Sequence, residues 1–242
     1  MLLRTLKVEQ IKLTRSPVWL AFLVLPMLSA LIGTLNYMGN IAILQEQWYS
    51  LWTQHTLFLC YFFMPALLGV YCSYLWRLEH LNYNWNAVMT APVRFIDTYL
   101  AKLMTAVSMV ILTEAWIAIL FLVCGKLAGI TAPLPPELSS WLLCGVLGGT
   151  AVCAMQLLIS LVIRSFAVPV GIALIGGVIG LAALAKGYAL FFPYSLLSLG
   201  MRANNPQMEF HGLPFLLSCL TFIVAFSVAA IVYVKGRDTV AE

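Results

Sequence analysis

Charge is scarce in this chain. Of its 242 residues only 9% are Asp, Glu, Lys or Arg, while 62% are hydrophobic. A soluble domain carries about 25% charged residues. So few charges cannot cover a water-facing surface, and most of this surface must meet lipid instead. The catalytic signatures are missing as well. No glycine-rich phosphate loop is present: Gly125–Lys126 is the lone Gly-Lys pair, with no Gly five residues before it and no Ser or Thr after it. No HExxH and no GxSxG occur. The three histidines (His55, His80, His211) are expected on different loops, and the nine acids are scattered. An enzyme is therefore unexpected. The net charge of +4 is too small to point to nucleic acid.

The six cysteines form no CxxC pair and no cluster with histidine, so no metal site is expected. All six lie in or beside apolar runs, where a thiol behaves as a small hydrophobe. Cys124 and Cys144 flank one expected outer loop and are the single pair for which a disulfide is worth considering; the free-thiol reading is preferred. The N-terminus is charged and amphipathic and does not read as a cleaved signal peptide.

What the chain does have is long apolar runs. A spanning helix needs about 20 mostly apolar residues, and six runs qualify: Trp19–Tyr37, Thr56–Trp76, Tyr99–Cys124, Trp141–Ile163, Ala167–Ala185 and Leu213–Val234. The expected fold is an all-α, polytopic membrane protein with a single transmembrane domain over residues 1–242. Only Arg164, Ser165 and Phe166 separate the fourth and fifth runs, so these pair as antiparallel helices. With both termini inside, 10 of the 13 Lys and Arg fall on the cytoplasmic side, which is the expected bias. Trp19, Trp76 and Trp141 sit at span ends, where indoles favour the membrane interface.

Three segments outside the spans carry information. Residues 1–16 interleave Leu3, Leu6 and Leu13 with Arg4, Lys7, Lys12 and Arg15, as in a helix lying flat on the inner leaflet. Residues 77–98 form a polar inner loop much longer than a turn. Residues 186–212 contain KGYALFFPYSLLSLGM, which is apolar, too short to span and interrupted by Pro193; this suits a re-entrant outer segment centred on Phe192, Pro193 and Tyr194. Gly145–Gly149 and Gly176–Gly180 have GxxxG spacing, read first as packing within the bundle. Glu114 is the one acid deep in a span. It should face the bundle interior, either on a substrate path or as a neutral hydrogen-bonding group. One acid and no deep base is a thin basis for ion coupling, so the energy for transport is expected from an external motor.

Two stretches resemble a known family. Glu9, Lys12, Leu13, Arg15 and Ser16 in EQIKLTRS, before the first span, are similar to the start of type-two ABC exporter permeases. Glu79-His80, Asn84-Trp85, Thr90-Ala91-Pro92-Val93 and Lys102 resemble the stretch after their second span. Within that superfamily the chain most resembles permease subunits of lantibiotic-immunity and bacitracin-resistance exporters. The resemblance implies a bacterial plasma-membrane protein that binds no cofactor itself. ATP and Mg²⁺ would be handled by a dimer of separate ABC ATPase subunits. A second permease subunit, the same or homologous, would complete the pathway, and an amphipathic peptide would be expelled from the membrane. It implies a coupling helix in the loop after the second span, with Glu79, Trp85, Thr90 and Pro92 as its residues and Trp85 as the main anchor. It also implies that the segment before the last span caps the outer side. The competing expectations are export of a drug or lipid, and an accessory or sensor protein with no transport path.

Overall fold

The computed structural model describes residues 1–81 and 93–238. These residues are helical, with no strand among them. An N-terminal helix, α1 (Leu2–Thr14), is followed by α2 (Val18–Gly39), α3 (Trp48–His80), α4 (Phe95–Leu127), α5 (Leu138–Val162) and α6 (Ala167–Ala185). A 3₁₀ turn at Ala189–Phe191 leads into the short α7 (Pro193–Gly200), and α8 (Gly212–Asp238) ends the described chain. Among the described residues six helices, α2 to α6 and α8, are long and apolar enough to cross a bilayer. The chain is a multi-pass membrane protein.

Two spans are longer than the apolar runs suggested. α3 and α4 have 33 residues each, about 50 Å of helix against a hydrocarbon core of about 30 Å. The second span begins at Trp48 because Trp48, Leu51 and Trp52 pack into the core, although polar residues between them break the apolar run. His55 accordingly lies buried inside a helix rather than on a loop, its Nε2 2.9 Å from Thr34 Oγ1. α3 is not uniform: Leu59–Phe63 form a π-helical turn just before Pro65. Proline has no N–H to offer the carbonyl four residues back, and a widened turn is one way a helix absorbs that loss. The freed backbone at Tyr61 is approached closely by α6, where a Cβ on Gly177 would collide with the Tyr61 carbonyl oxygen.

α5 is the hub of the bundle, touching α3, α4, α7 and α8. α7 lies wholly inside it, with every residue from Pro193 to Gly200 buried against α5 and α6. The GxxxG glycines make these contacts: Gly176 and Gly180 face Tyr194, and Gly149 faces Val110 of α4. They serve packing within the chain, as expected. All six cysteines are free, so Cys124 and Cys144 are not paired. Trp76 and Trp141 are buried within the bundle. Trp141 stacks on Trp52 at 5.1 Å between ring centroids, an aromatic pairing that adds to the apolar area both rings bury.

Candidate functional site

Four of the residues that suggested a family converge at one place. α1 brings Glu9 and Lys12, the end of α3 brings Glu79, and the second turn of α4 brings Lys102. Lys102 is 0% exposed, Glu9 2% and Glu79 3%. Lys102 Nζ lies 2.9 Å from Glu9 Oε2, 2.7 Å from Glu79 Oε1 and 2.5 Å from the Leu75 carbonyl oxygen. Its three ammonium protons are therefore all engaged. Lys12 Nζ closes the cluster at 2.7 Å from both Glu9 Oε1 and Glu79 Oε1. Two carboxylates and two ammonium groups leave the cluster neutral, which is what makes its burial tolerable. The Trp76 ring covers Lys102 at 4.7 Å from the ammonium, a cation–π contact, and stacks in turn on Phe95.

Lys12, outside the spans, is the cluster's link to solvent, with 24% side-chain exposure. Burial works against its charge, but Glu79 and Glu9 together outweigh burial and hold its ammonium above the ordinary lysine value of 10.5. The local sequence explains the placement. Glu9 and Lys12 are three residues apart and share a helix face. Trp19 Nε1 donates to the Leu13 carbonyl at 2.8 Å, fixing how α1 turns into α2. The face packed on α4 is Glu9 and Leu13, while Leu3, Val8 and Ile11 are exposed.

The cluster brackets the polar inner segment. α3 runs on to His80 and α4 starts at Phe95, so the connection is shorter than the expected 77–98. Glu79 is thus a buried helix-end residue rather than a loop residue. His80 Nε2 lies 2.8 Å from the Ser160 carbonyl, tying the end of α3 to α5 as well. Of the other residues expected to couple, Trp85, Thr90 and Pro92 lie outside the described residues. Lys102 is buried in the second turn of α4. Its run read as starting at Tyr99, and neither Trp76 nor the Leu75 carbonyl could be assigned to it from spacing.

The outer-segment residues and Glu114 lie elsewhere. Glu114 is twelve residues along α4 from Lys102, about 18 Å of helix, and is 3% exposed. It does face the bundle interior, opposite Gly145 of α5. Pro193 opens α7 at its first turn, where its missing N–H costs nothing. Tyr194 is buried and accepts a hydrogen bond from Gln156 Nε2 of α5, and Phe192 is half-buried beside it. Gln156 and Tyr61 were not foreseen; each is a lone polar residue inside an apolar run.

A bundle of six spans, an N-terminal helix clamped to the second and third of them by buried charge, and a short helix enclosed before the last span define a polytopic permease. The chain matches the model of the ABC-2 family transporter protein over residues 5–180, and it belongs to that family. No curated protein and no solved structure matches it. Permeases of this family normally work with an ABC ATPase partner.

Proposed function

We propose that this chain is the permease subunit of an ATP-driven exporter that expels amphipathic peptides of the lantibiotic type from the bacterial plasma membrane. The observation that carries the coupling half of this reading is the buried cluster of Glu9, Lys12, Glu79 and Lys102. It joins three helices at the two ends of one polar segment. A push on that segment from a docked ATPase reaches α1, α3 and α4 together, because breaking any pair strands a buried charge, at about 3–5 kcal/mol. Trp85, Thr90 and Pro92 in that segment are the contact residues, with Trp85 the largest anchor. ATP and Mg²⁺ act on the partner ATPase dimer, and a second permease subunit completes the pathway. Both termini face the cytoplasm, in keeping with the Lys and Arg bias. Glu114 and the α7 segment belong to the substrate side of the machine.

Co-purification is the test. The tagged permease is expressed with the ABC ATPase encoded beside it, and ATPase retention, peptide resistance and peptide-stimulated ATP hydrolysis are measured. Retention with stimulation by an amphipathic peptide supports the reading. Retention with stimulation by a lipid or drug alone would reassign the cargo. Absence of any bound ATPase would leave an accessory protein.

A further inference from the structure

The short helix α7 and the residue that follows it present Tyr194, Ser198 and Met201 at spacings of four and three, one stripe of a helix. Each meets a polar side chain of α3 or α5. Tyr194 accepts from Gln156 of α5. Ser198 faces the Tyr61 hydroxyl in the π-turn of α3. Met201 Sδ lies 3.4 Å from Cys60 Sγ in the same turn. Its Cγ and the Oε1 of Glu114 come within 2.9 and 2.6 Å of the point that a Cβ on Gly145 would occupy. Along this stripe Gln156 Oε1 and both carboxyl oxygens of Glu114 are buried without a hydrogen-bond partner among the described residues, and the Tyr61 hydroxyl is buried facing Ser198.

Gln156 Oε1 and the Glu114 oxygens are acceptors, the Tyr61 hydroxyl can accept as well as donate, and among the described residues no nearby base supplies a donor. Lys102 is fully engaged in the coupling cluster. His55 is bonded to Thr34. Arg202, next to Met201, turns back onto the Gly200 carbonyl and lies 3.4 Å over the Phe210 ring. Acceptors without donors are costly in hydrocarbon, and the surrounding apolar packing does not need them. An ammonium group is the complement: three donors, no acceptor and a charge opposite to that of a carboxylate.

We propose that the seam between α7 and spans α3, α4 and α5 is a binding path for the protonated amine of the exported molecule, with Glu114 as its counter-charge and Gln156 and Tyr61 as neutral stations. From Tyr194 to Met201 the stripe rises about 10 Å, so one ammonium meets these groups in turn and not all at once. The eight-residue α7 closes the seam in this conformation, and its displacement would open it. This inference rests on the export reading and adds a substrate class to it: amphipathic molecules bearing a free amine.

The test uses the full-length permease in nanodiscs of phosphatidylcholine, which has no net charge to concentrate amines. The probes are a diazirine-bearing dodecylamine and its N-acetyl copy. The amine should label α7 and the facing residues of α3 to α5 at least about tenfold more than the acetylated probe, the scale of a buried charge left unpaired. Glu114→Gln, nearly isosteric, should bring that ratio close to one, Glu114→Asp should keep most of it, and Tyr61→Phe should lower it by a smaller factor. Equal labelling by the two probes in the unmodified chain, or an unchanged ratio in Glu114→Gln, overturns the proposal. The export reading fails separately. Amine-selective labelling without peptide-stimulated ATP hydrolysis refutes peptide export and leaves the site standing. Stimulation without amine preference does the reverse.

Discussion

Lys102→Met is the sharpest probe of the charge cluster. The side chains have similar length, so packing under Trp76 is largely kept. What is lost is one ammonium that satisfies Glu9 Oε2, Glu79 Oε1 and the Leu75 carbonyl at 2.9, 2.7 and 2.5 Å. Lys12 then faces two buried carboxylates alone. Removing one partner from a buried ionic network costs about 3–5 kcal/mol, since the remaining charge is uncompensated. For a chain of this size about 2–4 °C accompanies each kcal/mol, so the thermal midpoint in detergent should fall by roughly 6–20 °C. α1 should also loosen, because its buried face is held by Glu9. A cysteine at Leu13, buried in the intact protein, would report this as faster thiol labelling. The double variant Glu79→Gln/Lys102→Met restores neutrality and should recover a good part of the loss. If Lys102→Met melts within about 2 °C of the unmodified chain and labelling at Leu13 is unchanged, the cluster does not hold α1, and the coupling argument loses its structural base.

Lys12 contributes stability through an ammonium whose folded-state value lies above 10.5. That contribution is fully present below about pH 10 and is lost only as pH rises through the folded-state value; thermal midpoints of the unmodified chain and Lys12→Met should therefore differ by a constant amount from pH 7 to 9 and converge in strong alkali. Gly177→Ala puts a methyl group onto the Tyr61 carbonyl and 2.7 Å from Pro65 Cγ, whereas a Cβ at Gly171 meets nothing within 4 Å; the first should lower the midpoint by an amount equivalent to about 1–3 kcal/mol and the second should leave it level or raised. Trp85→Ala should reduce ATPase co-purification by at least about tenfold at unchanged membrane expression, the effect of losing an interface anchor; full retention would remove Trp85 from the contact. Cysteines at positions 5 and 240 should label from the cytoplasmic side and one at 130 from outside, and the opposite pattern would invert the topology.

The solvent and the number of spans were legible in the sequence alone. These depend on sums over many residues: a charged fraction too low for water and runs of about 20 apolar side chains. Such sums do not need to know which side chains touch. The short apolar segment around Pro193 was legible for the same reason, since its length excluded a full span. Tertiary structure decided the rest. Lys102 looked like a residue at a loop edge because polarity marks span ends in a sequence, yet burial there depends on three charges from α1 and α3 arriving to neutralise it. Trp48 to Thr56 looked polar because alternating side chains dilute the average, yet one face of that stretch lies in the core. The partner of α1 was not legible because helical spacing gives a face but not which neighbour it meets; Glu9 and Leu13 are the residues that pack. The seam at α7 could not be read at all. Tyr61, Gln156 and Glu114 are single polar residues in three separate apolar runs, and only the packing of a helix of eight residues against α5 and α6 lines them up. Pair contacts between residues 60 and 200 leave no local trace in composition or periodicity, because they are made by the energy of the folded bundle and not by the chain around either residue.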